Sequence, residues 1–216
     1  IRSVLRAASS VHMAIRILTF PLRLIMSWRQ VLPFLTALGR LPVPTTCNHT
    51  GRRKIVMLVI SEVWRDPRVE REARALAAAG FEIEILYPDY FSHIYSTTSV
   101  KWGEHINFSP LPAKAYQYIF GFPYLFGRSY LEAAAKRQPY AFHCHDLNTA
   151  LVGLAAARMT GAHCICDFHE WYSENVSWDP VIGEYVRHHF LKKHVFRWAE
   201  RLVLKRATAV VTVCDS

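Results

Sequence analysis

The chain has 216 residues, 51% of them hydrophobic, and a formal net charge of +9. That length suits one large or two small domains, and the apolar content is ample for a sizeable core. The charge is unevenly placed: residues 1–61 hold eight Arg and one Lys with no acid, whereas residues 62–216 balance 17 basic against 17 acidic side chains, which excludes a globally basic nucleic-acid binder.

The first element is basic and apolar, VHMAIRILTFPLRLIMSWRQVLPFLTALG (11–39). Arg16, Arg23 and Arg29 interrupt it, as do Pro21 and Pro33, so no stretch approaches the roughly 20 uninterrupted apolar residues of a membrane span. One reading lays residues 11–40 on an anionic membrane surface, with Arg in the headgroups and Phe20, Leu24, Ile25 and Trp28 inserted. Two others stay open: an Arg-rich, acid-free targeting segment, or translation from upstream of a start at Met13. LPVPTTCNHTGRRK (41–54) reads as a linker. The expected organisation is an extension over 1–50 and a folded domain over 51–216.

IVMLVI (55–60) is a continuous apolar run suited to a central parallel strand. In DPRVEREARALAAAG (66–80), Asp66 fits an N-cap, Pro67 a first helical turn and Gly80 the C-cap. Val69, Ala73, Leu76 and Ala77 share one helical face. FEIEILYP (81–88) alternates as a second strand, completing a β-α-β unit. HINFSPL (105–111) is a candidate third strand. From Tyr116 to Phe126 every second residue is aromatic, as core, packed loop, apolar acceptor groove or membrane contact. SYLEAAAKR (129–137) is helical, YAFHCH (140–145) a strand and NTALVGLAAARMTG (148–161) a helix. AHCICDFH (162–169) is a strand, residues 181–207 are mostly one long helix, and TAVVTVCDS (208–216) is a final strand. Strand and helix alternate, which predicts an α/β, doubly wound, mainly parallel sheet.

Two strand ends carry the chemistry: HCHDLNTA (143–150) and DFHEWYSE (167–174). In open parallel sheets the loops at the carboxyl ends of strands form the ligand crevice. His143 and His145 point to one face of their strand. His143, deeper in the strand, reads as a hydrogen-bonded core residue. His145, at the mouth, reads as a hydrogen-bond donor to a sugar or anionic oxygen, or as an acid/base. Asp146 and Asn148 precede a helix, so each either caps it or faces a ligand. Asp167, His169 and Glu170 are costly together unless paired or solvated; mutual salt bridging is the structural alternative to a site. HEWYS lacks the second His of the zinc helix motif. The loop SEVWRD (61–66) has neither common glycine-rich phosphate fingerprint, although its helix start, with Arg65 or Arg68, suits an anion. No G-x-S-x-G elbow is present. The five cysteines (47, 144, 164, 166, 214) form no C-x-x-C pair and read as reduced thiols of a cytoplasmic protein.

Together, DPRVEREARALAAAGFEIEIL, HCHDLNTALVGLAAARMTGAHCICDFHEWYSE and WAERLVLKRATAVVTVCDS, in that order, resemble the N-terminal domain of glycosyltransferase family 4, retaining enzymes of the GT-B fold. The resemblance covers about residues 54–216. It implies a Rossmann-like acceptor-binding domain facing a second domain that binds a nucleotide-sugar donor, with no cofactor and no metal. It implies that His145 reaches the donor sugar. It also implies that Asp66, Arg68, Asp146, Asn148, Asp167, His169 and Glu170 line the side of a glycan, lipid-linked or small-molecule acceptor. The family's glutamate-containing donor motif has no counterpart up to Ser216, as expected of a truncated sequence or of a natural half with a separate donor-binding chain. On that expectation these residues alone show little turnover. Two other functions stay open on the residues: a non-catalytic, membrane-attached partner subunit, and a metal-dependent hydrolase using His143, His145, Asp167 and His169.

Overall fold

Short apolar runs, rich in Ile, Val, Leu and Cys, form strands buried on both faces, as a parallel sheet demands. The computed structural model describes residues 53–60, 63–89, 102–112, 118–119, 122–123, 128–179, 183–187 and 190–212. The basic apolar segment and nearly all of the linker lie outside the described residues. Six strands make the main sheet: β1 (Lys54–Leu58), β2 (Glu82–Asp89), β3 (Ile106–Pro112), β6 (Ala141–His145), β7 (His163–Phe168) and β10 (Ala209–Thr212). Their order is β10-β7-β6-β1-β2-β3, and every pairing is parallel. The expected doubly wound α/β fold is therefore the observed one. The order reverses between β1 and β6, which makes the crevice at their carboxyl ends the topological switch point.

Helix α1 (Pro67–Ala78) covers one face, where Val69 and Ala73 pack with Ile55, Met57, Ile83 and Ile85. The other face carries α2 (Arg128–Ala135), α3 (Asp146–Thr160) and α4 (Phe190–Arg206), which bury Val56, Leu58, Phe142, Cys144 and Cys166. Ten of the 15 residues of α3 are buried, because small Ala and Gly positions let it sit close against the sheet. The cap of α1 is Ala79, one residue before the expected Gly80, which follows it at a left-handed φ of +94°; Gly161 caps α3 at φ +77°. Among the described residues, no helix is long and apolar enough to cross a membrane.

The expected long helix over 181–207 is corrected at its start. β8 (Val176–Asp179) pairs antiparallel with β9 (Glu184–Arg187), and the helix begins only at Phe190. Gly183 has φ +69°, and Trp178 is the register partner of Tyr185; aromatic and β-branched residue types here favour a hairpin over helix propensity. The aromatic segment 116–126 contributes two two-residue strands, β4 (Tyr118–Ile119) and β5 (Phe122–Pro123), paired with each other; its other residues lie outside the described ones.

Candidate functional site

The last residue of β6, His145, is the register partner of Asp167 on β7. Period-two alternation puts His143, His145 and Asp167 on the α1 face of the sheet, and Cys144 and Cys166 on the opposite face. Helix α1 starts just after β1 and lays Glu72 against the histidines. The Glu72 Oε2 atom is 3.5 Å from His143 Nε2 and 3.8 Å from His145 Nε2. On the far side of the ring, His145 Nδ1 is 3.9 Å from Asp167 Oδ2, and His169 Nε2 is 2.8 Å from that same oxygen. The His143 and His145 rings lie 4.7 Å apart.

Burial is deep. His145 is 3% exposed, Asp167 2% and His143 8%. His143 is buried, as expected of a core residue, and His145, expected at the mouth of the strand, is buried as well, packed under α1 and against its neighbours. Neither ring nitrogen of His145 has a hydrogen-bond partner, nor do Glu72 Oε2 and Asp167 Oδ1. His169 Nε2 is close enough to Asp167 for an ion pair but is not aligned as a hydrogen bond. Native interiors satisfy nearly all such atoms, so a cluster of unsatisfied ones marks a place built for something else.

The electrostatics follow from the same packing. Burial, then the neighbouring His143, holds His145 well below its ordinary pKa, and burial lowers His143 as well. Both rings are neutral imidazoles at pH 7, each with one donor and one acceptor nitrogen. Burial and the adjacent Asp167 carboxylate push Glu72 up to about 7.

Asp66 caps α1 as expected, accepting from the Arg68 backbone N–H at 3.1 Å. It also takes a two-pronged bond from the Arg68 side chain, at 3.0 Å from Nε and 2.9 Å from Nη2. Burial alone would raise the Asp66 carboxyl, but the guanidinium outweighs it and holds the group below its usual value. Asp66 and Arg68 therefore satisfy each other beside the centre. The capping reading of Asp146 is corrected: His145 occupies the cap position without a side-chain cap bond, and Asp146 opens α3 at a left-handed φ of +67°. Such a conformation is uncommon for a residue with a side chain and is concentrated at functional sites. Thr149 stabilises the junction, its hydroxyl donating to the His145 carbonyl at 2.6 Å. Asn148 is half-buried in the first turn of α3.

Of the second cluster, Asp167 and His169 pair with each other, as the salt-bridge alternative expects. Glu170 is exposed and accepts from the Asn175 side-chain amide. The loop after β7 is fastened to α4, because the Ser173 N–H donates to buried Glu200 at 2.9 Å and Lys193 and Arg197 each reach Glu174 at 2.7 Å. The residue not expected from sequence is Glu72. Its signal was faint: it lies three residues after Val69 and four before Leu76, on the rim of the apolar stripe of α1.

The donor set of Glu72, His145, Asp167 and His169 is the one group of mixed nitrogen and oxygen ligands gathered among the described residues. Cys144, Cys164 and Cys166 form a separate sulfur cluster on the other sheet face, with contacts of 3.9 and 3.8 Å.

A family profile described as "Glycosyl transferase 4-like domain" matches residues 66–216. No curated protein is significantly similar in sequence. Among solved structures, sucrose-phosphate synthase from Thermosynechococcus elongatus superposes with a TM-score of 0.53 at 15% identity, over 74% of this chain and 42% of that one. TcCGT1, solved in complex with UDP, superposes with a TM-score of 0.51 at 10% identity, over 75% of this chain and 44% of that one. The likeness is one of fold, and the chain spans less than half the length of either protein.

Proposed function

The chain belongs to the glycosyl transferase 4-like domain family, and from that premise we propose that it is the acceptor-side half of a retaining, nucleotide-sugar-dependent glycosyltransferase. The observation that carries this reading is His145. It stands at the carboxyl end of β6, at the switch point, as a neutral imidazole with both nitrogens unpaired. Such a ring can donate to one sugar hydroxyl and accept from another without the cost of desolvating a charge. Substrate reaches it by displacing the Glu72 carboxylate, whose side chain is 32% exposed.

Asp146, Asn148, Asp167, His169 and Glu170 form the acceptor wall, with Arg68 at its edge held by Asp66. Trp171, 58% exposed beside Glu170, offers a flat apolar face to a sugar ring. The donor is a nucleoside diphosphate sugar, consistent with the UDP bound by TcCGT1. In the transfer, the bond from the anomeric carbon to the diphosphate breaks, the acceptor hydroxyl bonds to that carbon on the same face, and its proton leaves with the diphosphate. Residues 11–40, within the basic extension, hold the enzyme at an anionic membrane surface.

The test is radiolabelled sugar transfer by the complete protein containing this domain, offered a panel of nucleotide sugars with membrane and soluble glycan acceptors. Labelled product with release of the nucleoside diphosphate supports the reading. A folded protein that binds and turns over none of them overturns it.

A further inference from the structure

We propose that Glu72, His145, Asp167 and His169 form a binding site for one divalent first-row transition-metal ion, with zinc as its probe. Each residue offers one ligand atom, and these four atoms all lie within 4.8 Å of one another. A tetrahedral ion with bonds of about 2.0–2.2 Å needs its ligands roughly 3.3–3.6 Å apart. The His169–Asp167 approach is 2.8 Å, and His145 can give the ion only one of its nitrogens, Nε2 at 3.8 Å from Glu72 or Nδ1 at 3.9 Å from Asp167, so side-chain rotations closing the widest separations by about an ångström are needed to reach that spacing.

A second observation points independently to a ligand. Five polar atoms of these same four residues are buried without a hydrogen-bond partner: Glu72 Oε2, both nitrogens of His145, Asp167 Oδ1 and His169 Nε2. Two carboxylates face each other in this interior, an arrangement that a cation stabilises and an empty interior does not. Two imidazoles with two carboxylates suit zinc, iron(II), cobalt(II) or manganese(II) better than calcium or magnesium. The expectation of no metal came from the family resemblance, and the missing second His of HEWYS excluded only the zinc helix motif. The structure fills that place from elsewhere, with His145 from the neighbouring strand and Glu72 from α1.

The inference goes beyond the transferase reading and does not depend on it. The two meet at His145, since an ion on this ring withholds it from sugar, so zinc inhibits transfer by the complete enzyme. Binding is measured without any sugar, which keeps the two readings separable.

The experiment is titration of the chelator-treated full chain with zinc by calorimetry and with cobalt(II) by absorption. Expected are one ion per chain, visible ligand-field bands, and no thiolate-to-cobalt charge-transfer band. His169→Ala and Glu72→Ala should each weaken binding more than about 100-fold, beyond the 10–100-fold loss typical of outer-shell partners. Glu72 is about a third exposed on a surface helix, so its variant keeps the fold, checked by circular dichroism. Cys164→Ala should leave the affinity unchanged. Absence of binding, a charge-transfer band that Cys164→Ala removes, or unaltered affinity in the two ligand variants would each overturn the proposal.

Discussion

His145 and Asp167 are register partners at the carboxyl ends of neighbouring parallel strands, with Nδ1 and Oδ2 3.9 Å apart. A shift of one residue in either strand would send its side chain to the opposite face. The pair therefore holds its geometry through the backbone rather than through a hydrogen bond of its own. This leaves both nitrogens of the His145 ring without a hydrogen-bond partner, and it concentrates unfavourable charge around the pair.

That concentration has a measurable consequence. Glu72 is crowded by Asp167 in a largely dry setting. Glu72→Gln should stabilise the metal-free chain by about 1 kcal/mol at pH 8, a modest figure because the Glu72 side chain is about a third exposed. Urea unfolding of the two proteins with matched m-values checks this. A less stable variant would mean that the carboxylate is a structural contact instead.

Glu84 shows the opposite balance. Burial disfavours its charged form, yet Lys54, Ser109 and Arg137 surround the carboxylate and together hold its pKa down to about 2. A depressed folded-state pKa stabilises the fold above the unfolded value and loses that stabilisation as pH falls toward the folded one. Stability should therefore drop by about 2–3 kcal/mol between roughly pH 5 and pH 2 through this group, allowing for the partial exposure of its partners. Glu84→Gln should flatten that part of the profile. A profile parallel to that of the parent chain would show that the cluster does not form as described.

Packing of α3 on the sheet gives a third test. A Cβ at Gly153 would lie 2.0 Å from Cys144 Sγ. Gly153→Ala should destabilise by about 1–3 kcal/mol despite the better helix propensity of Ala. Adding Cys144→Ala removes the sulfur and leaves only ordinary contacts, so the double variant should recover part of the loss. Thermal melts of the four proteins of this cycle give the coupling, and strict additivity would contradict the contact.

Much of this architecture is legible in the sequence, because local and global preferences agree. Asp66 caps, Pro67 opens the helix, Gly80 follows its cap, Gly161 closes α3, and apolar strands follow in turn. His145 and Asp167 stand out because His145 ends its strand and Asp167 is the last residue but one of its own. Glu72 does not, because a helix rim tolerates an acid whether or not histidines lie beneath it, and only tertiary packing brings the two together. The burial of His145 also escapes a one-dimensional view, since depth along a strand says nothing about what packs above it. The left-handed Asp146 has no sequence signal beyond the tolerance of Asp for that region. The hairpin of β8 and β9 was hidden because VIGEYVR borders a strongly helical run, and Gly183 is compatible with either structure.

The most direct test is the rate of sugar transfer by His145→Ala in the complete enzyme, compared with the parent at matched folding and melting temperature. Loss of a group that hydrogen-bonds the reacting sugar should lower kcat/KM by at least about 100-fold. Undiminished turnover by a folded His145→Ala enzyme would contradict the assignment of this histidine, and with it the site built around it.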